Sequence, residues 1–382
     1  MKILHVITGI GAGGAETALC RLVESLRPPD YEHFVVALNA AGVNGSQSGR
    51  VGAAGASLAS LDLRPSAPNP LALLRLRRLA KSWAPDVVHG WMYHANLAAA
   101  LACGSVPLVW SIRQTLYKNN REKPLTWLVI RAGAWLSFRP RAIVYNARLS
   151  ALQHTAYGYR SHRARVIDNG IDVDAFRPDA SSRLAVRAEL GIPERAFVLG
   201  HFAHWRPMKD HANAVKAAAQ LVRMHPEAVF VFAGEGMDTR NNELTALIAG
   251  HGLAGNVRLC GRRSDMARIM AAVDLGYSSS AWGEAFSNAI AETMACGVPC
   301  VATDVGAARE IIGDCGIVVP RSAPTDLCGA WRTILNMDSN TKRAWSERAR
   351  ARIAKHYSIG SCAGAYARLY GELCEQPGRI GR

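Results

Sequence analysis

Two carboxylates eight residues apart, Glu284 and Glu292, stand in the run Gly283-Glu284-Ala285-Phe286-Ser287-Asn288-Ala289-Ile290-Ala291-Glu292. Read as a helix over 285–295, that spacing is just over two turns and puts both acids on one face. Backbone N–H groups at a helix start favour anions, so a phosphate could sit there. Glu292 would accept from sugar hydroxyls further along. An ordinary helix with two solvated acids is the alternative. The flanks argue against it: Ser278-Ser279-Ser280 follows a strand-like run, and Met294-Ala295-Cys296-Gly297-Val298-Pro299 is apolar. Acids in such a stretch are costly unless used.

A second anion-binding candidate is His204-Trp205-Arg206-Pro207-Met208-Lys209-Asp210, just after a strand, where open α/β sheets bind ligands. Residues 202, 204 and 206 of an extended end would face one way, so His204 and Arg206 could share a phosphate with Lys209 beyond. His94, in Trp91-Met92-Tyr93-His94-Ala95-Asn96, is a third candidate, although a lone histidine is more often structural. Gly9, Gly11 and Gly14 fit the dinucleotide pattern G-x-G-x-x-G. The strand that should end in a ribose-binding acid instead ends Ala37-Leu38-Asn39, so no nicotinamide or other cofactor is expected. Asp172-Val173-Asp174 sits in a turn, and nothing else has metal-ligand spacing, so no metal is expected either.

Strand-like runs at 2–8, 33–39, 85–90, 107–112 and 142–145 alternate with helical stretches near 15–26, 71–82, 94–103 and 124–137. The pattern repeats with strands at 197–203, 228–233, 256–260, 273–277 and 298–302, and helices near 210–223, 240–250, 264–271 and 285–295. Alternation of this kind predicts an α/β protein with two doubly wound parallel sheets and a cleft between them. The joint falls at Asp168-Asn169-Gly170, giving domains 1–168 and 169–356, with a last stretch over 357–373. Charge is uneven: residues 1–170 hold 20 Lys/Arg against 8 Asp/Glu, and the rest hold 25 against 22. Such a field attracts phosphates or anionic lipid heads, while no basic tail or module points to nucleic acid. The opening Met-Lys-Ile-Leu-His-Val-Ile reads as a strand rather than a signal peptide, and no apolar run is long enough to span a membrane. Nine cysteines without a Cys-x-x-Cys read as reduced thiols.

The run from Gly283 to Glu292, with Met294 to Pro299 and Thr303-Asp304-Val305-Gly306, resembles the retaining "group 1" glycosyltransferases of the GT-B fold, family 4. Gly13-Gly14-Ala15-Glu16, Asn146, Val166 to Asp172, Pro207 to His211, Phe232 to Gly236 and Leu259-Cys260-Gly261-Arg262 follow in the family's order over nearly the whole chain. The resemblance implies two Rossmann-like domains, the first binding acceptor and the second holding the nucleotide sugar, with 357–373 crossing back to the first. Residue by residue, Glu284 looks like the carboxylate on the donor sugar, Glu292 the ribose ligand and Lys209 the diphosphate ligand. Gly261 and Arg262 look like the base wall, with Phe286, Ser287 and Asn288 beside the donor. Gly13 and Gly14 would face the diphosphate, and His94 the reacting sugar. The family's Arg five positions before the Lys is His204 here, with Arg206 two residues on.

The expected activity is metal-independent, retaining hexosyl transfer from a UDP- or GDP-sugar. The expected acceptor is a saccharide or lipid-linked saccharide of bacterial surface polysaccharide synthesis. The expected place is the cytoplasm, peripheral on the anionic inner face of the membrane. Contacts would come from Arg75, Arg77, Arg78 and Lys81, and from Lys118, Arg121 and Lys123. A sugar-nucleotide 2-epimerase and a non-catalytic sugar-nucleotide-binding protein share the fold and stand as rivals.

Overall fold

The computed structural model describes residues 1–11, 13–39, 47–63, 70–104, 106–116 and 124–375. Ala12, Lys118, Arg121, Lys123 and the tail Gln376 to Arg379 fall outside them. The chain divides into two compact units, Met1–Gly170 with Ile359–Arg382, and Ile171–Ser358.

The first unit runs β1 (Lys2–Ile7), α1 (Gly14–Ser25), β2 (Glu32–Ala37), α2 (Ser48–Ala53), β3 (Ser57–Ser60), α3 (Pro70–Trp83), β4 (Val87–Trp91), α4 (Tyr93–Ala102), β5 (Leu108–Ile112), α5 (Pro124–Leu136), β6 (Ala142–Tyr145), α6 (Arg148–Tyr157) and β7 (Ala164–Val166). Its strands form one parallel sheet in the order β3-β2-β1-β4-β5-β6-β7. Strands such as Val87-Val88-His89-Gly90-Trp91 are buried throughout, as expected where helices cover both faces. One face packs under α3, α4, α5 and α6 through Leu76, Ala99, Ile130 and Ala151. The other packs under α1 and α2 through Leu19, Val23 and Val51.

The second unit runs α7 (Ala180–Glu189), β8 (Val198–Phe202), a 3-10 turn (Pro207–Lys209), α8 (His211–Met224), β9 (Val229–Ala233), α9 (Asn242–Gly250), β10 (Val257–Leu259), α10 (Met266–Ala271), β11 (Leu275–Ser278), α11 (Asn288–Ala295), β12 (Cys300–Thr303), α12 (Ala308–Ile312), β13 (Gly316–Val319), α13 (Pro324–Leu335) and α14 (Ser339–His356). Its parallel sheet has the order β10-β9-β8-β11-β12-β13. The last helix, α15 (Ile359–Glu375), belongs to the first unit and adds Tyr366, Leu369 and Tyr370 to the core beneath α1.

The boundary falls at 170/171, two residues beyond the expected 168/169, because Asn169 and Gly170 are tied to the first unit. Asn169 accepts from the Arg113 guanidinium, and the Gly170 carbonyl accepts from Arg21 Nη1 at 3.1 Å. A larger correction concerns 285–295. The helix begins only at Asn288, with Ser287 as its cap, since Gly283 takes a left-handed conformation (φ 97°) and the chain stays irregular to Ser287.

Candidate functional site

In the second sheet β8 and β11 are neighbours, and the connections that follow them leave toward opposite edges. Such a switch point opens a crevice at the carboxyl ends of the strands. After β8 the chain turns at Trp205, whose N–H donates to the Glu235 carbonyl at 2.8 Å. The following 3-10 turn is pinned to the β11 side: Ala281 N–H donates to the Met208 carbonyl (2.9 Å) and Ser279 Oγ to the Lys209 carbonyl (2.7 Å). This places the Lys209 ammonium in an ion pair with the Glu284 carboxylate, both side chains largely buried (19% and 13% exposed). Ser280 Oγ donates to the same carboxylate oxygen at 3.2 Å. The cation and the acid singled out in the sequence therefore meet, and Ser279 and Ser280, which carried no assigned role, hold them.

Glu284 reaches this position from the loop, four residues before α11, so it does not share a helical face with Glu292. The loop is shaped by Gly306, at φ 64°, where a Cβ would run into the Glu284 carbonyl. Glu292 lies half-buried on the fifth residue of α11. Phe286 and Ser287 are buried, Phe286 edge-on to Tyr357 at 5.5 Å, and Asn288 opens the helix.

His204 is half-exposed and lies beyond the end of β8 at Phe202, so the expected strand-like alternation through 206 does not apply. Its Nδ1 accepts from the Glu235 N–H at 3.2 Å, which requires that nitrogen to be unprotonated. Burial holds its pKa below the ordinary value; Glu235 opposes this, and Lys209, Arg206 and Arg262 add to it. The four basic groups therefore form one cluster. Beneath it His211 Nε2 donates to the His204 carbonyl (3.1 Å), its Nδ1 accepts from His201 Nε2 (3.2 Å), and the ring stacks on Trp205; burial brings its pKa down to about 4. Gly261 lies beside Asp238, its N–H on the Met237 carbonyl at 2.8 Å, and Arg262 is exposed. A cavity of about 480 Å³ opens elsewhere, lined by Arg183, Asp274 and Pro299 before β11 and β12, and includes none of these residues.

The switch point of the first sheet lies between β1 and β4. Gly13 caps α1 and Gly14 begins it. The Glu16 carboxylate folds back against Gly13, in the manner of a capping box, and burial raises its pKa. His94 is exposed in the first turn of α4, its pKa lowered by partial burial. Arg113, just past β5, was not singled out from the sequence, although a basic residue at a strand's carboxyl end is a readable signal. Its guanidinium lies 5.4 Å from the Trp91 ring and donates to Tyr366 Oη (3.2 Å) and to Asn169. Below it runs a buried chain of rings. Trp91 Nε1 donates to His5 Nδ1 (3.1 Å), His5 Nε2 then donates to His33 Nδ1 (3.0 Å), and His33 Nε2 donates to the Leu26 carbonyl. His89 bridges Tyr370 Oη (2.7 Å) and Ser111 Oγ (2.8 Å). Burial holds all three imidazoles neutral, their pKa values lowered.

Among the described residues no three His, Cys, Asp or Glu gather as metal ligands. Asp172 accepts instead from the N–H groups of Asp174 (3.1 Å) and Ala175 (2.9 Å).

Residues 12–175 match Glycosyltransferase Family 4, and residues 194–337 match Glycosyl transferases group 1. The chain belongs to the group 1, family 4 glycosyltransferases. Within this family it is 31% identical over 220 residues to the D-inositol 3-phosphate glycosyltransferase of Corynebacterium jeikeium, covering 55% of this chain and 52% of that one. It is 27% identical over 187 residues to the N-acetyl-alpha-D-glucosaminyl L-malate synthase of Bacillus anthracis, 48% of each chain. The chain spans about half the length of the curated relatives it matches. Anabaena HepE, solved in complex with UDP and glucose, superposes with a TM-score of 0.84 at 22% identity, covering 97% of this chain and 99% of that one. The family member described here thus has the GT-B fold, with two Rossmann-like parallel-sheet domains.

Proposed function

We propose that the protein is a retaining hexosyltransferase that takes its sugar from a nucleotide-diphosphate donor held by the second unit. The observation that carries this reading is the Lys209–Glu284 pair at the β8/β11 switch point. Breaking the glycosidic bond leaves negative charge on the departing diphosphate. Lys209, with Arg206 beside it, supplies a fixed positive charge for that oxygen, and no metal is needed in the step. Glu284, released from Lys209, accepts from the hydroxyls of the reacting sugar. Glu292 accepts from the ribose, Gly261 and Arg262 flank the base, and Phe286, Ser287 and Asn288 complete the donor wall. Of the first unit's residues, Gly13 and Gly14 are assigned to the diphosphate and His94 to the reacting sugar.

The relatives named above support a nucleotide-sugar donor, since HepE binds UDP and glucose and the curated relatives are glycosyltransferases. The acceptor in this reading is a lipid-linked saccharide of surface polysaccharide synthesis, met at the inner membrane face by the basic first unit. The test is a thermal-shift screen of UDP- and GDP-sugars, followed by transfer assays with EDTA. A donor at 100 times its dissociation constant adds about 2.7 kcal/mol. Absence of stabilisation by every nucleotide sugar, or activity abolished by EDTA and restored by magnesium, overturns the corresponding part.

A further inference from the structure

The helices that cover one face of the first sheet, α3 to α6, contain six Lys or Arg residues and not one Asp or Glu. They form a continuous layer, since α3, α4, α5 and α6 all pack on the same core cluster. The layer also leaves large apolar side chains in the open. On α5, Leu128 is 64% and Trp135 75% exposed, and on α6 Leu152 is 62% exposed.

The reason lies in the composition of α5, Pro-Leu-Thr-Trp-Leu-Val-Ile-Arg-Ala-Gly-Ala-Trp-Leu. Its inward side is supplied by Ile130 and Gly133, which are buried, with Trp127, Val129, Ala134 and Leu136 partly buried against the same core. Leu125, Leu128 and Trp135 are spaced by three and seven residues and so line the opposite stripe, with Arg131 among them. A helix apolar on both sides is expected inside a large core or against lipid, not facing water. Phe138, just past the helix, stands edge-on to Trp135 at 6.4 Å and extends the stripe.

We propose that the α3–α6 layer is a docking face for an anionic phospholipid bilayer. In it the outer stripe of α5 enters the boundary between headgroups and acyl chains, while Arg77, Arg78 and Lys81 of α3 engage the headgroups. The charge decides the occupant. A layer with six cations and no carboxylate complements a negative surface, and each cation near such a surface is worth about 1 kcal/mol. Nucleic acid would share that charge but offers nothing to exposed leucines. Tryptophan and arginine side by side suit the interface between lipid heads and tails. Among the described residues no helix is long and apolar enough to cross a membrane, so the contact is parallel to the surface. The proposal refines the sequence expectation: electrostatics alone, through α3, becomes electrostatics plus insertion through α5. It rests on the membrane-side reading of the acceptor and not on the transfer chemistry.

Co-sedimentation of the full chain with phosphatidylcholine vesicles, with and without phosphatidylglycerol, tests it. Wild type is expected to bind only the anionic vesicles and to keep part of that binding at high salt, where charge attraction is screened. The R77E/R78E variant should lose at least about thirtyfold in partitioning at low salt, roughly 2 kcal/mol. The L128D/W135D variant should lose the salt-resistant part. Melting temperatures establish that each variant is folded, and W135S replaces the double variant if that one is not. Wild type that ignores anionic vesicles, or an α5 variant that binds as wild type does, overturns the proposal. So does a dimer that the α5 substitutions disperse while vesicle binding is unchanged. UDP stabilisation measured on the same samples fails or survives independently, and so separates this proposal from the donor reading.

Discussion

After β8 and β11 the second unit brings an ion pair to the switch point of its sheet. After β1 and β4 the first unit brings glycines, a folded-back glutamate and an exposed histidine to the same topological position. Charge balance runs the other way. Residues of the first unit include 23 Lys/Arg against 10 Asp/Glu, and those of the second 22 against 20. One unit is balanced overall and concentrates opposite charges at its site. The other is strongly basic, yet its core is crossed by neutral rings, and the outer helices α3 to α6 carry cations without a single acid. The shared plan sets where a ligand can approach, and the loops and outer faces decide what kind of ligand it is.

The sharpest test of this contrast is removal of one polar group from each switch point. Lys209→Ala should reduce kcat for transfer by about 10²–10³, the usual cost of losing one donor to developing negative charge. His94→Ala should cost clearly less. Equal losses in steady-state kinetics would break the division between a charged site in the second unit and a neutral one in the first.

Within the second unit, the two acids should separate. Glu292→Ala leaves ribose hydroxyls unpaired and should weaken UDP binding by about 1–3 kcal/mol in calorimetry. Glu284→Ala should lower kcat more than UDP affinity, because it acts on the sugar. Wild-type kinetics in both variants would remove the site assignment altogether.

Acid should weaken the first unit sooner. It buries His5, His33, His89 and His154, against His201 and His211 in the second. Burial lowers the pKa of each, with His154 and His211 both near 4. A depressed histidine pKa means the unfolded chain binds protons first. The stabilisation is complete above about 6.5 and is lost as pH falls toward the folded value, about 1.4 kcal/mol per unit of depression. Hydrogen exchange at pH 7 and pH 5 should show β1, β2 and β4 losing protection before β8, β9 and β11. The reverse order would count against the neutral network as the weak point.

The smallest effect concerns His204. With its pKa held below 6.5 in the free protein, the ring is neutral at pH 8. UDP affinity should therefore be nearly flat above pH 7 and rise only on acidification. His204→Arg should tighten binding at pH 8 by about two- to fivefold, as expected of an exposed charge pair. A steep fall in affinity between pH 7 and 8 would restore His204 as the diphosphate cation.

Much of the framework was readable because parallel strands buried on both faces are runs such as Val229-Phe230-Val231-Phe232 and Ile143-Val144-Tyr145, bounded by turns. β3 was not readable: Ser57-Leu58-Ala59-Ser60 has little apolar character and becomes a strand by pairing with Phe34 to Ala37. α14 was missed because only Ala349 and Ile353 of its eighteen residues are buried. At the site, residue types were legible and partnerships were not. Lys209 and Glu284 are 75 residues apart, and only the β8–β11 adjacency makes them meet. His5 and His89 belong to separate strands, and only the β1–β4 register places them side by side.

The position of α15 has a consequence for synthesis on the ribosome. Tyr366 and Tyr370 come from this helix, yet their partners Ser111, Arg113 and His89 lie in the first third of the chain. The second unit is one uninterrupted stretch and can fold as soon as Ser358 is clear of the exit tunnel. The first unit begins to form earlier but finishes later, with a hydrophobic trough over β1, β4 and β5 open until residues 359–375 emerge. Nascent chains tethered so that Ser358 has cleared the tunnel while residues 359–375 remain inside it should therefore recruit chaperones to the older unit while the younger one is already protease-resistant.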